Sequence, residues 1–187
     1  VEVQTEKVWA ISEEFELPRL VVLNRLDRER ASLDRSLASL REVCGREVVP
    51  IQIPIGEEKD FKGVIDLIGQ KAYLYKTDGR GKFEETSIPD ELQEPASSRR
   101  DELVEMVAES DDALMEKFFE EGSLSHEDLL GGLRGCLISK EIFPVYCASA
   151  TRNIGTAQLL DAIIEVSPDP LKRVPPKALD AISKEET

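Results

Sequence analysis

Asn24 and Asp27 stand directly after the apolar run Leu20-Val21-Val22-Leu23, within Asn24-Arg25-Leu26-Asp27. A run of that kind suits a strand covered on both faces, as in a parallel sheet. Ligands of open parallel sheets bind at the carboxyl ends of the strands. A carboxylate placed there can accept two parallel N–H bonds. Guanine offers such a pair through its ring N1–H and exocyclic amine; adenine does not. Asn24 can brace the loop and reach the base edge. The aliphatic stem of Arg25 can cover a ring face while its charged head stays in water. Taken alone, the run is also what an ordinary charged strand-to-helix loop looks like.

A second run strengthens the first. The apolar stretch Phe143-Pro144-Val145-Tyr146-Cys147-Ala148 ends in Ser149-Ala150-Thr151. A tight turn of small residues brings backbone N–H groups close to a ligand, where they could bond a guanine carbonyl oxygen. Small residues after a strand usually just turn the chain. It is the pairing with Asn24 and Asp27, in that chain order, that carries weight.

The surrounding pattern says which elements must position these loops. Val8, Ile11 and Phe15 recur at helical spacing, predicting a helix over 5–16 capped by Thr5 and stopped before Pro18. Leu33, Leu37, Leu40 and Cys44 predict a helix over 32–44, with Gly45 as its stop. Residues 47–53 read as the next strand, ending at Pro54. Helix, strand, helix, strand is the order of an α/β fold with a parallel sheet. That order resumes late: a strand over 143–148, then a helix over 156–167 with Leu159, Leu160, Ile163 and Ile164 inside.

Between them, residues 54–139 read as an inserted α+β subdomain. Short strand-like stretches cover 63–67 and 71–75, followed by the turn Asp78-Gly79-Arg80-Gly81 and an acidic linker around Pro89. Helices are predicted over 99–109, 111–121 and 125–137. The last opens with Ser125…Asp128, close to a capping box. Residues 171–187, with Pro175 and Pro176, read as a linker or tail.

Composition excludes several function classes. Among 187 residues, 24 Lys+Arg against 38 Asp+Glu give a net charge of −14. Such a surface does not hold nucleic acid through its bulk, because phosphate contacts need clustered Lys and Arg. An apolar fraction of 41 % is ordinary for a globular protein and argues against disorder. No apolar run has the length of a membrane-spanning helix, and the amino end lacks a signal-peptide pattern. Cys44, Cys136 and Cys147 are widely spaced and odd in number, as expected of reduced thiols in a cytoplasmic protein. The lone histidine, His126, leaves little room for a His-based metal site. Val1 stands mid-pattern, so the chain reads as a fragment of something longer.

Asn24-Arg25-Leu26-Asp27 resembles the Asn-Lys-x-Asp guanine motif of translational GTPases, and Ser149-Ala150-Thr151 resembles their Ser-Ala-x motif. Residues 1–9 (Val-Glu-Val-Gln-Thr-Glu-Lys-Val-Trp) look like the helix after switch II in elongation factor G. Pro50–Glu58 and Phe61–Leu67 are similar to that factor's entry into its characteristic insertion. Glu109–Lys117 and Asn153-Ile154-Gly155…Leu159-Leu160-Asp161-Ala162 continue the likeness, which covers nearly all of 1–170. Position 25 is Arg where the family usually has Lys.

The resemblance implies part of a P-loop-GTPase-type sheet: 1–53 and 140–170 as the C-terminal half of a GTP-binding domain, with 54–139 inserted. It implies GTP or GDP as ligand of Asn24, Arg25, Leu26, Asp27, Ser149, Ala150 and Thr151, and the ribosome as partner, with its stalk protein meeting 54–139. Magnesium would belong to the parent factor. No Gly-x-x-x-x-Gly-Lys-Ser/Thr loop occurs in the 187 residues, so the fragment alone is expected to be inactive, monomeric, and without catalytic or metal-ligating residues. Missing strands would leave a raw sheet edge and an uncovered apolar face. The leading reading implied is part of an elongation-factor-G-like GTPase whose parent factor drives ribosomal translocation; two further readings stand beside it, an elongation-factor-G-like paralogue or ribosome-protection or release GTPase, and a non-catalytic stalk-binding module.

Overall fold

In the computed structural model, which describes residues 1–76 and 78–169, the chain opens with α1 (Val3–Glu14), β1 (Val21–Leu23), α2 (Leu33–Cys44) and β2 (Val48–Pro50). It continues through β3 (Gln52–Ile55), a 3₁₀ turn (Glu58–Asp60), β4 (Gly63–Asp66), β5 (Lys71–Tyr75) and β6 (Phe83–Thr86). Three helices follow, α3 (Asp90–Ala108), α4 (Asp112–Glu121) and α5 (His126–Ser139), and then β7 (Phe143–Cys147) and α6 (Thr156–Val166). A 3-stranded sheet has the order β1-β7-β2, with β1 and β2 both parallel to β7. A separate 4-stranded sheet has the order β3-β4-β5-β6 and is antiparallel throughout. The fold is therefore α/β, a parallel sheet flanked by helices beside a smaller antiparallel sheet, as the alternation of elements predicts. Residues 170–187, which include the predicted linker or tail, lie outside the described residues.

The strand expected over 47–53 is two strands in two sheets. Ile51 is where they part: its N–H donates to Val145 O of the first sheet (3.0 Å), while its carbonyl accepts from Leu67 N in the second (3.0 Å). Residues 48–53 are buried on every face, so no alternation marks the change of partner. Gln52 completes the junction. Its buried side-chain oxygen accepts the Cys147 N–H at 3.1 Å, taking the place of a strand that has just left.

One element begins earlier than the pattern implies, and one strand has no apolar pattern to mark it. α3 starts at Asp90, so the acidic stretch after Pro89 is helix, not linker. Asp90 and Glu91 lie in its first turn, where carboxylates interact favourably with the helix dipole. Ala96, Leu103, Val104, Val107 and Ala108 form its buried face, while Pro95 is exposed. β6 has no apolar alternation because it is an edge strand. Its charged Glu84 and Glu85 suit an edge, and Glu85 pairs with Lys71 on β5.

Two apolar stripes face outward. α1 starts at Val3, with Glu2 rather than Thr5 at the cap position, and Val8, Ile11 and Phe15 are exposed. The inward residue of α1 is Trp9. Its ring stands edge-on to Phe143 at 4.8 Å, and the Arg19 guanidinium lies 4.2 Å from both ring centres. On α6 the buried line is Gln158, Ala162 and Val166, whereas Leu160, Ile163 and Ile164 are exposed and Leu159 is half-buried. The expectation that these apolar residues face inward is thus corrected: Gln158, Ala162 and Val166 form the seam. The α5 cap forms as its spacing predicts, with Ser125 Oγ accepting Asp128 N–H at 3.1 Å and donating to its carboxylate at 2.8 Å.

Candidate nucleobase-binding loops

β1 and β7 end side by side, and the chain leaving each stays bonded to the other. Ala148 N–H donates to Leu23 O at 2.9 Å, and Leu26 N–H donates to Ala148 O at 3.3 Å. Leu26 is 5 % exposed and packs into the core. Leu26, one of the residues expected to touch a ligand, therefore anchors the loop through its side chain.

The polar side chains then cross between the loops. Asn24 Oδ1 accepts the Arg25 N–H at 2.8 Å and the Ala150 N–H at 3.0 Å. Ser149 Oγ donates to Asp27 Oδ1 at 2.6 Å, approaches Thr151 Oγ1 at 3.3 Å and accepts the Arg152 N–H at 3.3 Å. Ser149 is fully buried, Asp27 half-buried, and Asn24, Arg25, Ala150 and Thr151 are exposed. Asp27 is thus held by one oxygen at the floor of the junction. The other oxygen, with its lone pairs, and the remaining lone pair of the first are left to accept.

Backbone conformation sets this geometry. Arg25 has φ +64°, the left-handed region that disfavours a side chain with Cβ. The second loop closes on itself through a reciprocal pair between Ser149 and Ile154, at 2.9 and 3.0 Å. Asn153 (φ +54°) accepts from the Thr156 hydroxyl, and Gly155 (φ +76°) lets the chain pass over Cys147. A Cβ on Gly155 would lie 2.2 Å from Cys147 O.

One expectation is revised. The Ser149 N–H is bonded to Ile154 O and the Ala150 N–H to Asn24. Within 149–151 only the Thr151 N–H is not engaged by a described residue. The array of free backbone donors that a small-residue turn suggests is therefore one donor, plus one that a ligand would have to share with Asn24. Sequence reasoning also passes over Gln52 and Gln158. Both are buried, and both are satisfied by a distant residue, Cys147 and Tyr75 respectively. Glutamine at an interior position of an apolar segment is the signal that could have marked them. Among the described residues no group of three or more His, Cys, Asp or Glu side chains is placed to hold a metal ion.

An α/β sheet whose strand-end loops are locked to each other by an Asn, an Asp and a Ser defines a class, and the family follows from comparison. Residues 1–169 match the model of the elongation factor Tu GTP binding domain, and the chain belongs to that family. A crystal structure of a protein from Thermus thermophilus superposes with a TM-score of 0.83 at 34 % identity. The match covers 92 % of this chain and 26 % of that one, so the present chain spans about a quarter of that relative's length.

Proposed function

We propose that Asn24, Arg25, Asp27, Ser149, Ala150 and Thr151 read the guanine base of GTP or GDP in a translational GTPase of the elongation factor G type. The observation that supports this most directly is the Ser149–Asp27 hydrogen bond at 2.6 Å. It fixes a carboxylate where two loops from distant parts of the chain meet. From there Asp27 can accept the paired N–H groups of guanine, while the Thr151 and Ala150 N–H groups lie on the loop that would face the base carbonyl. Asn24 holds the two loops in register. Arg25, exposed at the loop's turn, can lay its aliphatic stem on the base.

In this reading the fragment is the base-reading half of the domain. The phosphate loop, the switch segments and the magnesium ligands belong to a part of the protein outside these 187 residues. Phosphoryl transfer depends on those groups for positioning and charge stabilisation, so the chain by itself does not hydrolyse GTP. Segment 54–139 is an insertion, and its exposed acidic helices suit a basic partner; the ribosomal stalk is the surface proposed for it. The parent factor, a cytoplasmic enzyme acting on the ribosome as a monomer, drives translocation.

The test is nucleotide selectivity. In the protein carrying the complete domain, Asp27→Ala lowers the preference for GTP over ATP by a factor on the order of 10⁴, since a site built on paired polar contacts discriminates to about that extent. A preference left intact by Asp27→Ala sinks the assignment. GTP turnover by the 187-residue chain alone would contradict the division into halves.

A further inference from the structure

The connection between β3 and β4 is wound tightly. Gly56 has φ +79°, and a Cβ there would lie 2.1 Å from Asp60 O. Glu58, which is not glycine, has φ +51°. Such a conformation persists where its surroundings hold it. Here they do: Lys62 N–H donates to Ile55 O at 2.9 Å, Phe61 N–H donates to Glu58 O at 3.1 Å, and the Phe61 side chain is buried in the core.

The winding places two acceptors side by side. The Glu58 carboxylate accepts the Arg30 N–H at 2.8 Å. Lys59 O accepts from the Arg152 guanidinium at 3.1 Å. Arg30 and Arg152 come from different base loops. In the chain leaving β1, Arg28 N–H donates to Arg25 O at 3.0 Å and Ala31 N–H donates to Arg28 O at 3.1 Å. Asp27 therefore sits inside the first of two consecutive turns, and Arg30, at φ +63°, sits inside the second. In the chain leaving β7, the Arg152 N–H donates to Ser149 Oγ at 3.3 Å, the same hydroxyl that donates to Asp27. The Glu58–Asp60 turn is thus bonded to each of the two segments that hold Asp27.

A polar turn often makes incidental bonds to its neighbours. Two observations set this one apart. Both bonds are charge-assisted, the stronger kind. The antiparallel sheet also meets the second loop and its helix elsewhere: a Cβ on Gly81 would lie 2.4 Å from the Asn153 side chain, and the Tyr75 hydroxyl bonds Gln158 in the first turn of α6. The base loops are backed by this sheet, and the Glu58–Asp60 turn is where the backing reaches Asp27.

We propose that Glu58 and Arg152 are positioning residues for base recognition: the turn sets the two loops so that Asp27 faces both N–H groups of guanine at once. The proposal rests on the reading of these loops as the guanine site. It adds a dependence of that site on segment 54–139. Glu58 acts through Arg30, and Arg152 through Ser149. A small tilt of the Asp27 carboxylate keeps one N–H bond and loses the other, so the effect falls on the exocyclic amine. By linkage, a bound base steadies the turn as much as the turn steadies the base.

The experiment compares GDP with IDP, whose base keeps the ring N1–H and lacks the exocyclic amine. It uses the protein carrying the complete GTP-binding domain, with affinities read by competition against a fluorescent GDP analogue. The GDP-to-IDP affinity ratio cancels the phosphate contacts and the fraction of folded protein, so a residue that only supports the fold leaves it unchanged. Glu58→Ala and Arg152→Met should each lower the ratio by about fivefold, part of what one charge-assisted hydrogen bond to the amine is worth. Glu58→Gln keeps an acceptor oxygen in the same place and should restore most of the ratio. In the unsubstituted protein GDP should slow amide exchange at Arg30. Asp27→Ala, run alongside, should bring the ratio close to one. A ratio unchanged in Glu58→Ala and Arg152→Met while Asp27→Ala abolishes it overturns the positioning role and leaves the guanine site standing. Equal weakening of GDP and IDP overturns it too, because the turn would then support the fold alone. A ratio that survives Asp27→Ala overturns the guanine site and the positioning role together.

Discussion

The two sheets use the same ladder chemistry and end up with different capacities. Each strand of the antiparallel sheet pairs with its neighbour in sequence, Ile53 with Ile65, Ile65 with Ala72, Tyr73 with Glu85. Its polar ends are turns between strands adjacent in sequence. In the parallel sheet β1 and β2 never touch, and both depend on β7, which enters only after α5. Closing such long loops carries an entropic cost before any contact forms. The return is juxtaposition: the strand ends at Leu23 and Cys147, remote in sequence, deliver Asn24, Asp27 and Ser149 to one point. Local pairing builds a wall, and remote pairing builds a site.

The largest expected effect contrasts two glycines of nearly the same backbone conformation. Gly155, φ +76°, sits in the loop after β7, and an added Cβ would meet Cys147 O at 2.2 Å. Gly79, φ +71°, sits in the turn between β5 and β6 with nothing within 4 Å. Gly155→Ala should lose about 3 kcal/mol or more in urea denaturation, because backbone must move as well as twist. Gly79→Ala should lose about 1 kcal/mol, from conformation alone. Equal losses would mean that the loop after β7 is as yielding as a hairpin turn, and the contrast between the sheets would fail.

The junction of the sheets comes next. Gln52→Leu removes the acceptor of the buried Cys147 N–H and leaves that donor unpaired, at a cost of about 1–3 kcal/mol. Because Cys147 lies directly before the Ala148–Thr151 turn, the variant should also speed amide exchange at Ala148. A variant that is destabilised without that local change would place the effect of Gln52 in packing.

These contrasts also explain what can be read in advance. The parallel sheet, its flanking helices and the meeting of the two loops follow from runs such as Leu20–Leu23 and from polar residues at strand ends. They are local signals whose spacing survives in one dimension. Ile51 is opaque because an unbroken buried run hides a change of sheet. α6 misleads because Leu160, Ile163 and Ile164 look like a core, whereas the packed seam is Gln158, Ala162 and Val166; apolar residues report that something is to be covered, not by what. Sequence overstates the donor count of the second loop because Asn24 and Ile154, which engage the Ala150 and Ser149 N–H groups, are partners brought by the fold.

The smallest effects should come from the helix that belongs to neither sheet. Ser125→Ala removes the cap of α5 and should cost about 1 kcal/mol, with amide exchange at Ala148 and Cys147 unchanged.

Asp128, in the same first turn, offers a finer measurement. The hydrogen bond from Lys117, then that from Ser125, hold its carboxyl below the ordinary range. A carboxylate whose value is depressed on folding contributes stability that is fully present above its unfolded value, about 4. That contribution is lost as the pH falls through the folded value. The side chain is partly open to solvent and its Lys117 partner is exposed, so the effect is a small bend in the stability curve below about pH 4. Lys117→Met should flatten that bend without altering stability at Gly155 or Gln52. If the Gln52→Leu loss also changed with Lys117→Met, the caps and the sheet junction would be coupled, and the two sheets could no longer be treated as separate from the helices between them.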